Sequence, residues 1–181
     1  MVEHKYPPIL DIRQAAEAAR RLSGQNKLSD FERLLAESQG LGAENALAWS
    51  AQVERRQDDT GQSACWLRLT VEVSMPLICQ RCLGRVDVAV QVEQEFRFVV
   101  NEEQAEQLDD ESEEDLLVLS REFDLAGLIE DEVLLALPLV PRHEVCPSKP
   151  VLSAADADFE SPQPSANPFA VLAGLKDKKT V

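Results

Sequence analysis

The chain has 181 residues, of which 44% are hydrophobic and 28% charged, the composition of a soluble globular protein rather than of a fibrous or wholly disordered one. It carries 18 Lys and Arg against 33 Asp and Glu, and this net charge of −15 disfavours a protein that grips nucleic acid over a broad basic surface. The acidity is local, since residues 1–100 carry a net charge of −2 and residues 101–181 one of −13.

The first residues and the apolar runs indicate the compartment. The N-terminal segment has no basic stretch followed by a long apolar one, so we expect no secretory signal. The longest apolar run, residues 133–140, is interrupted by Pro138 and is far shorter than the roughly 20 residues that cross a bilayer. We therefore expect a cytoplasmic protein with reduced cysteines and neither a membrane nor DNA as partner.

Two short helices are predicted near the N-terminus. The spacing of a capping box, in which the first side chain accepts from a free helix amide, occurs at Asp11 and Gln14 and again at Ser29 and Glu32. The first helix is predicted from residue 12 to about residue 22. The second is predicted from residue 30 to about residue 39, where Gly40 ends it.

The centre of the chain has the pattern of a β-sheet. Apolar and polar residues alternate with period two over residues 47–55, 66–73 and 86–100. The alternation predicts an antiparallel sheet with one buried face and one face in water, either open or barrel-like. Its buried row in the second strand is predicted to be Leu67, Leu69, Val71 and Val73.

Residues 102–115 contain nine acidic residues and no basic one. Mutual repulsion and the scarcity of core-forming residues predict a solvated loop rather than a regular element. Such a loop either keeps the protein soluble or attracts a basic partner, such as a ribosomal protein.

One further helix is predicted after the acidic run. Residues 116–119 are predicted to form a short strand, and Asp124 to cap a buried helix over residues 125–137. Pro138 and Pro141 then predict an extended exit from this helix. The fold class is therefore α+β, an antiparallel sheet with short N-terminal helices and one buried helix after the sheet.

The end of the chain has the composition of a tail. We predict a single α+β domain over residues 1–146, a flexible linker over residues 147–166 and a short helix over residues 167–181. The helix has a good capping residue, a proline at its first position and a shared apolar face, provided by Asn167, Pro168, Phe169, Leu172 and Leu175. Because so short a helix is marginal alone, these residues are predicted to contact a partner or the domain.

The cysteines suggest a metal site. Cys79 and Cys82 have the C-x2-C spacing of a hairpin turn that holds one metal ion with two thiolates. His143 and Cys146 could supply the other two ligands of tetrahedral zinc. The alternatives are reduced, partly buried thiols beside a surface histidine, and a redox-active pair. Cys65, at a strand start, is predicted to be a core residue.

No catalytic constellation is evident in the sequence, which has only two histidines and lacks phosphate-binding glycine loops and hydrolase motifs. The protein is therefore predicted not to be an enzyme. Arg81 and Arg85 beside the C-x2-C motif, and Arg97 on the sheet, are the candidates for a contact to RNA. The alternative is that they lie on the wet face of a strand.

Three stretches together resemble one family. They are residues 79–84 (CQRCLG), 130–143 (EDEVLLALPLVPRH) and 167–176 (NPFAVLAGLK). In this order they resemble the YceD family, the large ribosomal RNA subunit accumulation proteins of bacteria, with relatives in plastids. The resemblance implies a cytoplasmic, non-catalytic factor for the synthesis, processing or stability of 23S ribosomal RNA. In some branches of the family a pair of cysteines stands where this chain has His143 and Cys146.

Charge and resemblance lead to two main hypotheses. The first is that the domain docks a basic ribosomal protein or assembly factor of the large subunit through its acidic segment and C-terminal helix, so that its contact with ribosomal RNA is indirect. The second is direct RNA binding by the basic side of the sheet around Arg81, Arg85 and Arg97. A thiol enzyme or a nuclease is the third alternative.

Overall fold

The computed structural model describes residues 2–57, 61–109, 112 and 114–148. The chain divides into two units, Met1–Ser148 and Lys149–Val181. The predicted C-terminal helix and all but the first two residues of the predicted linker lie outside the described residues. Among the described residues, no helix has the length and apolar composition needed to cross a membrane.

Within the described residues, strands dominate the fold and four short helices accompany them. In chain order the strands are β1 (Val2–Glu3), β2 (Ile9–Leu10), β3 (Arg21–Lys27), β4 (Ala46–Gln57), β5 (Ser63–Ile78), β6 (Arg85–Val99), β7 (Asp115–Val118) and β8 (Phe123–Asp124). The helices are α1 (Ile12–Glu17), α2 (Glu32–Glu37), α3 (Glu102–Leu108) and α4 (Leu125–Leu135), with a 3-10 turn at Leu28–Asp30.

Six strands form one sheet in the order β1-β3-β4-β5-β6-β7. The three central pairings are antiparallel, whereas the outer pairs β1/β3 and β6/β7 are parallel. Strands β2 and β8 form a separate antiparallel pair. The α+β class and the helix after the sheet are confirmed. The sheet is open, with β1 and β7 as its edges, and is not closed into a barrel.

The hydrophobic core lies on one face of the sheet. The predicted buried row of β5 is confirmed, with Leu67 and Leu69 fully buried and Val71 1% exposed. Helix α1 contacts β4 and β5, and helix α4 contacts β6, so both cover this face. Ile129 and Val133 of α4 are fully buried within the same core cluster. Burial on one face and polar residues on the other account for the period-two pattern.

The first helix is shorter than predicted, and a strand follows it. Helix α1 ends at Glu17, and Ala19 adopts the left-handed conformation with φ 45°. The N–H groups of Ala19 and Arg20 donate to the carbonyls of Ala16 (3.2 Å) and Ala15 (3.0 Å), which is a Schellman ending. The prediction that the helix continues to residue 22 was therefore wrong, and Leu22 is a buried strand residue in β3.

The acidic run is not entirely a loop. Its first half forms α3, whose capping residue Asn101 accepts a hydrogen bond from the Gln104 N–H at 2.9 Å. Glu102 and Glu103 lie in the first turn, where negative charge is favourable beside the positive end of the helix dipole. The loop prediction was wrong for α3 because a cap and a favourable helix end outweigh the repulsion between carboxylates.

Candidate metal centre

The turn between β5 and β6 positions the two cysteines of the C-x2-C motif. The Cys79 N–H donates to the Gly84 carbonyl and the Leu83 N–H donates to the Cys79 carbonyl, both at 2.9 Å. Leu83 adopts φ 59°, a left-handed conformation that is costly for a residue with a side chain. These bonds close a tight turn in which Cys79 is buried and Cys82 is half-buried.

The second half of the cluster comes from the segment after α4. The Gln80 N–H donates to the Pro141 carbonyl at 2.8 Å, so this segment returns to the β5–β6 turn. Pro138 and Pro141 prevent the helix from continuing, but the predicted extended exit is wrong in part, because the segment bends at residues 139–140 and 144–145. His143 and Cys146 are thereby brought close to the C-x2-C motif.

The four ligand atoms of Cys79, Cys82, His143 and Cys146 all lie within 4.8 Å of one another. The Sγ atoms of Cys79 and Cys146 are 3.9 Å apart, and the Cys82 Sγ is 3.5 Å from the His143 Nδ1. Tetrahedral zinc with ordinary bond lengths would separate two sulfurs by about 3.8 Å, and a sulfur and a nitrogen by about 3.6 Å. The donor set and its distances therefore fit a four-coordinate metal ion such as zinc.

The tautomer of His143 also suits a metal ligand. Its Nε2 lies 2.9 Å from the backbone carbonyl of Arg85, which can only accept a hydrogen bond. Nε2 therefore donates to this carbonyl, which leaves Nδ1, 3.5 Å from the Cys82 Sγ, as the nitrogen that would face a metal ion. A histidine ligand held by a hydrogen bond from its second ring nitrogen is the usual arrangement in protein metal sites.

Arg81 lies at the cluster, although the sequence suggested it as a partner contact. Its Nε donates to the Cys146 Sγ at 2.9 Å. Its Nη2 donates to the carbonyls of His143 at 2.8 Å and Glu144 at 3.1 Å. One guanidinium group thus ties the C-x2-C turn to the segment that carries the other two ligands.

The surroundings also favour negative charge on one sulfur. Burial opposes ionisation of Cys79, but N–H groups of Cys82, His143 and Arg81 that bond its sulfur outweigh burial and lower the pKa of Cys79 to about 5. At Cys82 the Gly84 N–H lowers the pKa, but burial and the neighbouring Cys146 and Cys79 together raise it. Of these two sulfurs, Cys79 is therefore the one favoured as a thiolate and Cys82 the one disfavoured.

The remaining predicted site residues are not gathered at this cluster. Arg85 donates to the Asp87 carboxylate at 2.7 Å and remains half exposed. Arg97, predicted on a wet face, is only 8% exposed and pairs with Glu114 at 2.7 Å. The structure therefore does not bring the three arginines into one basic patch. The five predicted partner residues Asn167, Pro168, Phe169, Leu172 and Leu175 lie outside the described residues.

Sequence reasoning missed the groups that hold the ligands. The carbonyls of Pro141 and Arg85 act through the backbone, which leaves no signature in a sequence. The role of Arg81 could have been suspected from its position between the two cysteines of the C-x2-C motif.

The cluster lies inside a region that matches a known family. The family model described as "Large ribosomal RNA subunit accumulation protein YceD" matches residues 67–176, which include all four ligands. The chain belongs to the YceD family. The protein of that name from Haemophilus influenzae is 36% identical over 113 residues, which are 60% of this chain and 63% of that relative. No solved structure matches the chain.

Proposed function

We propose that this chain is a non-catalytic, cytoplasmic factor that supports the accumulation of 23S ribosomal RNA by docking a basic ribosomal protein or assembly factor of the large subunit. Membership of the YceD family and the printed name of the H. influenzae relative support the role in accumulation. The distribution of unpaired acidic side chains supports docking. It is the observation on which the choice of partner rests.

Helix α3 presents a stripe of carboxylates to solvent. Glu102, Glu106 and Asp109 are spaced three or four residues apart, so they share one side of the helix, and Glu103 lies beside them. All four residues are exposed. Within the part of the chain that the structure describes, none of them has an ion-pair partner. A basic partner would relieve the repulsion between these carboxylates and be steered towards them.

The exposed face of the sheet does not offer a comparable surface to RNA. Arg68 pairs with Glu93, and Arg56 pairs with Glu95 at 3.3 Å and with Glu54 at 3.2 Å. The Arg56 guanidinium also lies 4.4 Å from the centre of the Trp66 ring. A phosphate backbone would have to replace these carboxylates, which lowers the gain from direct binding.

A zinc ion in the cluster would have a structural role in this proposal. Cys79, Cys82, His143 and Cys146 would occupy all four tetrahedral positions, and no position would remain for a substrate or a water molecule. The ion would fasten the segment after α4 to the β5–β6 turn. Catalysis by this ion is therefore not part of the proposal.

The test compares two triple variants of the full chain expressed in growing cells. Glu102→Gln/Glu103→Gln/Glu106→Gln neutralises the α3 stripe, and Glu32→Gln/Glu37→Gln/Glu122→Gln removes the same charge at exposed positions elsewhere. The chain is crosslinked in the cells and recovered, and the bound RNA and the bound proteins are identified separately. The control variant should recover a basic protein. The variant with the neutralised α3 stripe should recover at least tenfold less of that protein. Recovery of RNA alone, persisting after proteins are stripped away, would contradict docking and favour direct RNA binding.

A further inference from the structure

A cavity of about 290 Å³ lies at the end of the sheet where β5 begins and β6 ends. It is therefore at the opposite end of the β5–β6 hairpin from the metal cluster. Among the residues that the structure describes, its lining includes three arginines, Arg13, Arg55 and Arg97, and one carboxylate, Glu17. In a chain with a net charge of −15, a cavity with this excess of cations is contrary to the overall composition.

The positive charge at this cavity is only partly compensated. Arg97 is balanced by Glu114 at 2.7 Å. Arg55 approaches Glu17 only to 4.0 Å, the outer limit of an ion pair, and half of its side chain is exposed. Arg13 has no carboxylate within 4.0 Å among the described residues. Two guanidinium groups, those of Arg13 and Arg55, therefore retain most of their capacity to bind an anion.

The charges of Arg13 and Arg55 both act on Cys65, a residue that lines the cavity. Burial raises the pKa of the Cys65 thiol, and the positive charges of Arg55 and Arg13 oppose this shift. A second cavity of about 220 Å³ shares Arg13 with the first and is lined by one further arginine, Arg121, and one carboxylate, Asp11. Arg13 therefore borders both cavities.

The other lining groups suit a small molecule with an apolar part. Phe98, Leu108 and Leu119 supply apolar surface. Gln104 accepts from the Val100 N–H at 3.0 Å through Oε1, which leaves its NH2 group as a possible donor. A volume near 300 Å³ is at the lower end of the range for ligand pockets.

We propose that this cavity binds a phosphate group, carried either by a small molecule of nucleotide size or by the 5′ end of an RNA strand. Guanidinium groups match the oxygens of phosphate with paired, charge-assisted hydrogen bonds. The carboxylates of α3 face solvent outside the cavity and repel a long polyanion more than a single phosphate. This inference is independent of the docking proposal, which concerns the outer side of α3.

The first experiment titrates the full chain with adenosine 5′-monophosphate, with adenosine and with inorganic phosphate by calorimetry. We expect saturable binding of the monophosphate, weaker binding of inorganic phosphate, and none of adenosine. Arg13→Gln and Arg55→Gln should each weaken monophosphate binding about tenfold or more, since each removes a charge-assisted contact. Arg21→Gln, which removes the same charge at an exposed position outside the cavity, should change it less than twofold.

Two RNA decamers, one with a 5′-phosphate and one with a 5′-hydroxyl, distinguish the sources of the phosphate. Preference for the phosphorylated decamer over the monophosphate assigns the site to an RNA end, and the reverse preference assigns it to a small molecule. Absence of saturable monophosphate binding together with equal binding of the two decamers would overturn the proposal. The proposal would also be overturned if Arg13→Gln and Arg21→Gln weakened monophosphate binding equally, because the affinity would then depend on the net charge of the chain and not on the cavity. Arg13→Lys keeps the charge without the paired donors and should bind with intermediate affinity.

Discussion

Removal of zinc from the four-ligand cluster is expected to lower the thermal stability of the chain. The cluster joins two segments that are more than 55 residues apart in the sequence, Cys79 to Cys82 and His143 to Cys146. Unfolding separates these segments and so releases the ion. Because the folded chain would hold the ion and the unfolded chain would bind it only weakly, zinc would stabilise the fold by an amount that grows with its free concentration.

The magnitude follows from this linkage. At a free zinc concentration one thousand times the dissociation constant, the folded state gains about 4.1 kcal/mol. For a chain of this length, each kcal/mol shifts the midpoint of thermal unfolding by roughly 2 to 4 °C. Zinc-loaded protein should therefore unfold about 8 to 16 °C higher than protein treated with a chelator.

Elemental analysis and thermal unfolding with and without chelator provide the assay. The wild-type chain, purified without added zinc, should contain about one equivalent, and Cys79→Ser or Cys82→Ser should contain almost none. Cys65→Ser is the matched control, because Cys65 is buried in the core and does not belong to the cluster. It should retain a full equivalent and the full zinc-dependent shift. Equal metal contents in Cys79→Ser and the wild type would refute the assignment of ligands.

Other expectations concern the surroundings of the cluster, the core and the tail. Arg81→Ala should weaken zinc binding about 10- to 100-fold in a chelator competition, as expected for a residue that holds a ligand in place, whereas Arg85→Ala should have little effect. Ile129→Ala, at a fully buried position of α4, should cost about 2 to 5 kcal/mol in denaturant unfolding, but Leu135→Ala, which is 79% exposed, less than about 0.5 kcal/mol. Deletion of residues 167–181 should leave the unfolding midpoint unchanged and abolish recovery of the basic partner; a lower midpoint would show that the segment stabilises the domain.

The long strands could be predicted because their signal is extended and regular. Alternation over eight or more residues has few explanations other than a sheet with one buried face, and β4, β5 and β6 all follow it. Strand β3 lacks this signal, since a glycine and four polar residues, but no apolar one, follow Leu22. The strand exists because its neighbours impose it. Buried Asn26, for example, accepts a hydrogen bond from the Trp49 Nε1 at 2.9 Å.

Helix α3 was not predicted because the density of acidic residues was given more weight than the capping residue. Asn101 and Gln104 have the spacing of a capping box: the Asn101 side chain accepts from the Gln104 N–H, and the Gln104 side chain accepts from the N–H of Val100, one residue before the cap. The density of negative charge around them predicted a loop. Charge repulsion between exposed side chains is weakened by solvent, whereas a cap typically contributes about 1 kcal/mol. The capping signal was therefore the stronger guide at this position.

The sequence indicated the four residues that the structure brings together as a candidate metal site, but not the groups around them. Cysteine and histidine spacing is informative because few residue types bind zinc. Arg81 and Arg97 were both interpreted as candidate surface charges, yet both are engaged within the fold. A side chain as long as arginine can turn inwards or outwards, and only the tertiary contacts decide which. This uncertainty is also why the cationic cavity around Arg13 and Arg55 has no signature in the sequence.

The metal cluster and the cationic cavity lie at opposite ends of one hairpin. With 16 residues in β5, a rise of about 3.3 Å per residue separates the strand ends by roughly 50 Å. Energetic coupling between the two sites over this distance would require a structural element with two alternative arrangements. Strands β5 and β6 are instead paired continuously from Cys65 to Ile78, which holds them in a single register. The two sites should therefore act independently. Cys79→Ser, which removes the metal, should leave the affinity for a phosphate ligand unchanged.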